Sequence, residues 1–195
     1  MKLSALLLSS ALAIAPLPLL AADWTFDKSH TTVLFSVGHF GFSDTTGVFR
    51  EFDGEVSFDP ENIAATEVSF TVDAGSVDTF WAARDEHIRS ADFLDVETHP
   101  QITFVSTAVE QTGDDTATLT GDLTIRGVTQ PVSLEAVLNK LDANPFNPQV
   151  QVAGFTLSGE IDRTEFGIDY GAPAIGTLMP LTINVELNAA AADAS

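Results

Sequence analysis

Cysteine is absent from the 195-residue sequence, so no disulfide braces the fold and no thiolate serves as nucleophile or metal ligand. Basic residues are scarce: 8 Lys and Arg stand against 28 Asp and Glu, a formal charge of −20. Such a surface repels phosphate backbones and anionic lipid surfaces, and no basic patch interrupts it, which argues against nucleic acid as a partner. There is no Gly-x-Ser-x-Gly elbow, no phosphate-cradling glycine loop and no His-Glu-x-x-His, so the usual signatures of serine hydrolases, nucleotide enzymes and zinc proteases are missing. The 4 histidines, His30, His39, His87 and His99, share no metal-ligand spacing, and a metal centre would have to be assembled in three dimensions. Paired carboxylates carry no information in so acidic a chain. The sequence therefore assigns no catalytic residue and no metal ligand.

Long apolar runs are confined to the start. Met1-Lys2 gives a small positive region, residues 3–20 are apolar apart from a few serines, and Ala21-Ala22 offers a small-residue cleavage point before Asp23. Residues 1–22 therefore read as a cleavable signal peptide. Pro16 and Pro18 disfavour the rival reading, an uncleaved anchor. No cysteine follows the apolar run, which excludes a lipid-anchored lipoprotein. Residues 23–195 fit one exported domain with no membrane-spanning segment. Loss of Lys2 with the leader takes the formal charge from −20 to −21, which suits solubility in a salty exterior.

What is present is alternation. Strands are expected at 31–39 (Val33, Phe35, Val37), at 48–58, and around Val68, Phe70 and Val72. In the second of these, Val48, Arg50, Phe52, Gly54, Val56 and Phe58 share the buried parity. Further strands follow at Ile102–Phe104–Ser106, at 117–125, 132–138, 155–161 and 181–187. Residues 41–47 and 144–148 read as turn and loop, and 163–176 as an irregular, glycine-rich stretch. Eight amphipathic strands joined by short turns leave a sandwich or a closed barrel, and an eight-stranded barrel is wide enough for one small ligand.

The period changes once, over residues 78–95. Phe80, Arg84 and Ile88 fall at helical spacing, and Asp78 or Thr79 can cap the first turn. A short helix in an all-β chain either plugs something or simply connects strands. Many of the 14 phenylalanines stand at inward parity, either as plain packed core or as the lining of a space. Arg50, Arg84, Arg89, Arg126 and Arg163 sit oddly in this acidic background. Pairing with Asp85, Glu86 or Asp162 is their default reading, and an anionic head-group site is the alternative.

Ordered blocks along the whole domain then add a resemblance. They are Asp27-x-x-His30 with Val33-x-Phe35-x-Val37-x-His39, Gly47-x-Phe49-x-x-Phe52-x-Gly54, and Arg84-Asp85-x-His87-Ile88-Arg89-Ser90. His99-Pro100-x-Ile102-Thr103-Phe104, Gly121-x-Leu123-Thr124-Ile125-Arg126-Gly127 and Arg163-Thr164-Glu165-Phe166-Gly167 complete the set. In these the chain resembles the YceI-like proteins, polyisoprenoid-binding, lipocalin-like proteins of the bacterial periplasm. Leu94 stands where a second Phe is common in the family, and Thr31 where Ser is usual.

The resemblance implies an all-β fold, an extended eight-stranded antiparallel lipocalin-like barrel with a short helical insert. It also implies a carrier for a long apolar lipid with an isoprenoid or quinone-type tail, with no other cofactor. The tunnel would be lined by Phe35, Val37, Phe52, Val56, Phe58, Phe70, Val72, Phe80, Trp81, Ile88, Phe104, Leu119, Leu123 and Phe155. Polar head-group contacts would come from His39, Arg50, Arg84, His87 and Arg163. The alternatives are a sequestration or stress-response module for amphiphilic compounds, and an enzyme acting on such lipids. Homodimerisation is left open.

Overall fold

Pairing of the amphipathic segments closes a barrel, described over residues 23–190 by a computed structural model. The signal peptide expected at 1–22 and the domain's last residues, 191–195, lie outside the described residues. The strands are β1 (Asp23–Phe26), β2 (Thr32–His39), β3 (Ser43–Phe49), β4 (Phe52–Ser57), β5 (Glu67–Asp73) and β6 (Val77–Asp78). After helix α1 (Ala82–Arg89) come β7 (Gln101–Gln111), β8 (Thr116–Ile125), β9 (Val128–Asn144), β10 (Asn147–Asp162) and β11 (Leu178–Ala190). No helix among the described residues is long and apolar enough to cross a membrane.

Eight strands form the closed antiparallel ring, in the order β1, β4, β5, β7, β8, β9, β10, β11 and back to β1. The short β1 makes the closure: Asp23 and Trp24 face Ser57 and Val56 of β4, while Thr25 and Phe26 face Asn188 and Leu187 of β11. Strands β2, β3 and β6 extend the sheet from the first half of β11, beginning with Leu181 against Phe35. Strand β8 shows why the sequence folds this way. Ala117, Leu119, Gly121, Leu123 and Ile125 are buried, and the residues between them are partly or fully exposed, so one face meets the barrel interior and the other meets water. Register shifts at Ser106/Ala108 and at Gly154/Phe155 are bulges that bend β7 and β9–β10 around the curve.

The wall departs from the expected strands in three places. Residues 41–47 are mostly strand, because β3 pairs with β2 from Ser43 onward. The strand expected at 48–58 is broken at Arg50–Glu51, where the chain passes from pairing with β2 and β6 to pairing with β5. The break reverses parity, so Gly47 and Phe49 point inward before it and Gly54 and Val56 after it. Arg50 consequently faces solvent, where its Nε and Nη2 donate to Asp78 Oδ2 at 2.7 and 2.6 Å. The loop expected at 144–148 is a tight turn, with β9 ending at Asn144 and β10 starting at Asn147.

The helix begins later than its spacing suggests. Trp81, not Asp78 or Thr79, is the N-cap residue, and no side chain caps it. Asp78 Oδ1 instead accepts the Phe80 N–H at 2.7 Å, and buried Asp85 accepts the N–H of buried Thr79 at 2.8 Å. Arg89 fastens the helix to the wall through its Nε and Nη2, each 2.7 Å from the carbonyl oxygens of Gly75 and Val77. Two apolar clusters pack at opposite ends. One holds Val77, Leu94, Ile161 and Phe166 near α1; the other holds Trp24, Phe58, Ala153 and Leu187 where β1 closes the ring.

Candidate functional site

Inward alternation in eight curved strands leaves a space along the barrel axis, in three connected sections. The section at the β7–β8 hairpin has a cavity volume of ≈ 130 Å³ and reaches the surface beside Gln111, Asp114 and Asp115. It shares Phe26, Val68, Leu119, Leu157 and Val185 with a central section of ≈ 170 Å³. The central section shares Phe35, Phe49, Leu94, Ile168 and Met179 with a chamber of ≈ 480 Å³ beside α1. Taken in line they form one elongated tunnel of two small sections, the central one its waist, and a wide chamber at the helix end.

Glycines in the wall keep the waist open. Phe35 lies over Gly47 of β3 and Phe104 over Gly121 of β8, so closely that a Cβ at either glycine would run into the ring. A ring laid against bare backbone thins the wall, where the same ring over a side chain would project into the tunnel.

Most of the expected lining residues meet here. Phe35, Phe70, Val72, Phe104, Leu119 and Leu123 surround the central section. Val56, Phe58 and Phe155 line the hairpin end, and Val37, Trp81 and Ile88 the chamber. Two do not line the tunnel. Phe52 stacks on Phe70 with ring centroids 5.3 Å apart, and Phe80, which precedes the helix, is turned outward and 69% exposed. Several lining residues were not anticipated. Phe26 lies in a strand too short to show a period, Phe49 lies on the reversed parity before Arg50, and Ile168 and Tyr170 lie in the irregular stretch.

The chamber holds the polar groups. His39, Arg84, His87 and Arg163 line it, together with Thr45, Thr79 and Tyr170; Arg50 does not. His87 stands edge-on to Phe93 and to Tyr170, each with centroids 5.0 Å away, and its Nε2 is 3.0 Å from Asp92 Oδ2. The expectation that buried arginines pair with acids is corrected by the backbone. Arg163 is 3% exposed, and its guanidinium donates to the carbonyl oxygens of Gly176 (2.8 Å), Ile168 (2.6 Å), Tyr170 (3.1 Å) and Ile175 (2.9 Å). Burial lowers its pKa, against the opposing charges of Asp162 and Asp169. Arg163 thereby holds the irregular stretch in place as the chamber's wall. Arg84 donates from Nε and Nη2 to the Thr79 hydroxyl and carbonyl at 2.7 and 2.5 Å.

Away from the tunnel, His30 closes the corner between β1 and β2. Its Nδ1 is 2.9 Å from Asp27 Oδ2 and 3.7 Å from Glu186 Oε2. Hydrogen bonds from Ser29 and His30 hold the Asp27 carboxyl well below the usual range, and the hydrogen bond to Asp27 raises the His30 pKa. Asp27, His30 and Glu186 are the one metal-capable cluster found among the described residues, with donor atoms within 4.8 Å of one another. His30 already bonds Asp27 and faces Glu186, which ties the β1–β2 corner to β11.

The YceI-like domain matches residues 24–190. Protein YceI of Escherichia coli O17:K52:H18 is 44% identical over 168 residues, covering 85% of this chain and 86% of its own length. The crystal structure of Burkholderia cenocepacia BcnA superposes with a TM-score of 0.73 at 24% identity, covering 83% of this chain and 98% of its own. A polyisoprenoid binding domain from Saccharophagus degradans has the same fold, with a TM-score of 0.67 at 15% identity, covering 86% of this chain and 99% of its own.

Proposed function

Because the chain belongs to the YceI-like domain family, we propose that it is a periplasmic binding and carrier protein for a long isoprenoid lipid. The bound molecule would be a polyprenyl or quinone-type chain lying along the barrel axis. One observation carries this reading: three adjoining cavities lie in line along the barrel axis, walled mainly by apolar side chains, with the histidines and arginines gathered at the wide end. A cavity of about 150 Å³ takes a single benzene ring, so a waist of ≈ 170 Å³ suits one hydrocarbon chain and a chamber of ≈ 480 Å³ has room for a cyclic head group. Each CH₂ moved from water into the tunnel contributes about 0.8 kcal/mol, offset by the ordering of a flexible chain. The S. degradans domain shares only the fold at this identity, so the ligand class rests on the tunnel and the family. Export of the chain rests on the leader at 1–22.

The chamber's charges favour an uncharged head. Arg163 is engaged by four carbonyl oxygens and Arg84 by Thr79, while Asp85 and Asp92 stand nearby on and just after α1. A phosphate or carboxylate would have to draw the Arg163 guanidinium away from its carbonyls, and beside Arg84 it would meet the like charges of Asp85 and Asp92. Quinone and alcohol heads need only single hydrogen bonds, within reach of His39, His87, Thr45 or Tyr170. The test is native mass spectrometry of protein purified without added lipid. The expected result is a retained mass, released by organic solvent and identified as a neutral isoprenoid. Protein that is folded but empty, and that takes up no added isoprenoid, would overturn the proposal.

A further inference from the structure

The wide end of the tunnel is ringed by aromatic side chains that face water. Trp81, which lines the chamber, is 66% exposed; its neighbour Phe80 is 69% exposed, and Phe42, at the tip of the β2–β3 hairpin, is 89% exposed. Phe40 is 54% exposed and stacks edge-on against His39 of the chamber, while Tyr170, packed on His87, is 45% exposed. Phe40 and Phe80 hold positive φ angles of 52° and 66°, a left-handed conformation that bulky side chains rarely adopt. Both are pinned there: the Phe40 N–H donates to the Ala174 carbonyl oxygen at 2.8 Å and the Phe80 N–H to Asp78 Oδ1 at 2.7 Å. Among the described residues the opposite end has a single exposed ring, Phe146 in the β9–β10 turn.

We propose that this aromatic rim docks the tunnel mouth onto the headgroup region of a lipid bilayer whose surface is zwitterionic, so that lipid passes between membrane and chamber without crossing water. The inference rests on the reading of the tunnel as a lipid site. Separate rings on separate loop tips surround a hole, with polar residues between them. That arrangement offers no continuous packed centre of the kind protein interfaces need. A fluid headgroup layer conforms to it, and aromatic rings settle at that depth.

Charge selects the kind of surface. Asp44, Glu86, Asp92 and Asp169 lie on the rim segments. Of the cations there, Arg50 is neutralised by Asp78, and Arg84, held by the uncharged Thr79, is outnumbered by these acids. Lys28 and Lys140 lie elsewhere, paired with Asp53 and Asp142. Basic clusters are what draw proteins to anionic leaflets; this rim has the opposite sign, so anionic lipid weakens docking.

Vesicle flotation with the full mature protein tests this. Vesicles of pure phosphatidylcholine should float the protein. Phe42→Ser combined with Phe80→Ser should lower binding at least ten-fold while lipid retention by native mass spectrometry is unchanged, because neither ring lines the tunnel. Phe146→Ser should bind as wild type. Replacing about a third of the lipid with phosphatidylglycerol should weaken binding several-fold at low salt. Brominated phosphatidylcholine should quench tryptophan emission, and Trp81→Phe should abolish the quenching, since Trp24 is buried with its Nε1 bonded to the Phe58 carbonyl. Lipid-loaded protein that never floats, an equal loss from Phe146→Ser, or tighter binding to anionic vesicles would overturn the proposal. So would a rim that binds a protein partner and no vesicle. Protein that floats but proves empty would refute carriage and leave docking standing.

Discussion

The ring of Phe104 lies against the bare backbone of Gly121 on the neighbouring strand. Any side chain at Gly121 must push that ring towards the axis or push the strands apart. Gly121→Val should therefore block the waist. The expected result is loss of the retained lipid together with a destabilisation of about 1–3 kcal/mol from overpacking, read by native mass spectrometry and denaturant melts. A Gly121→Val protein that keeps its lipid would show that the chain does not pass Phe104.

Arg163 acts through its fork of donors more than through its charge. Lysine keeps the charge but cannot reach four carbonyl oxygens spread over residues 168–176. Arg163→Lys should cost roughly 3 kcal/mol, since buried carbonyls lose their donors. Hydrogen exchange should rise selectively in the stretch between β10 and β11. Stability equal to wild type would mean the charge alone suffices.

Two linked titrations give the β1–β2 corner a pH signature. The His30 pKa is raised from 6.5, so its contribution is complete below that value and fades as pH rises through the higher folded-state value. Asp27 is lowered from 3.8, so its contribution is present above about 3.8 and fades as pH falls through the lower folded-state value. The corner is therefore strongest between about pH 4 and 6.5. Thermal melts of His30→Gln should lose the decline that wild type shows on the alkaline side of that window. Parallel profiles for the two proteins would rule this linkage out.

Head-group charge should discriminate among ligands of equal tail. In a competition assay, a polyprenol or quinone should displace bound lipid at least ten-fold better than the matching polyprenyl phosphate, because Arg163 is already engaged by carbonyls and Asp85 and Asp92 stand beside Arg84. A preference for the phosphate would mean that Arg163 lets go of its backbone acceptors or that Arg84 outweighs the acids beside it.

Much of this architecture can be read from residue order, and the misses have physical causes. The alternation in β8 and from Phe52 to Phe58 reports a half-buried wall directly, and Gly121 inside a strand hints at close approach, whereas Gly47 reads only as the end of a turn. Arg50 defeats the parity argument because the chain changes partners there, an event that leaves no mark on hydrophobic period. Strands β1 and β6, of 4 and 2 residues, are shorter than any period can register. Phe80 sits at helical spacing but just outside the helix. The role of Arg163 could not be foreseen, because its acceptors are backbone atoms of a stretch with no pattern at all. Tyr170 and Ile168 reach the chamber only because that stretch is tied down.

The briefness of β1 has a mechanical consequence. Between β4 and β11 the cylinder is bridged by two residues of β1 on each side, whereas β10 and β11 run paired from Val150 to Asp162. If the cylinder unzips anywhere, it does so along this line. The amides of Trp24 to Phe26 should then be the first of the ring to breathe, giving a long tail a sideways exit that does not require it to be drawn out lengthwise.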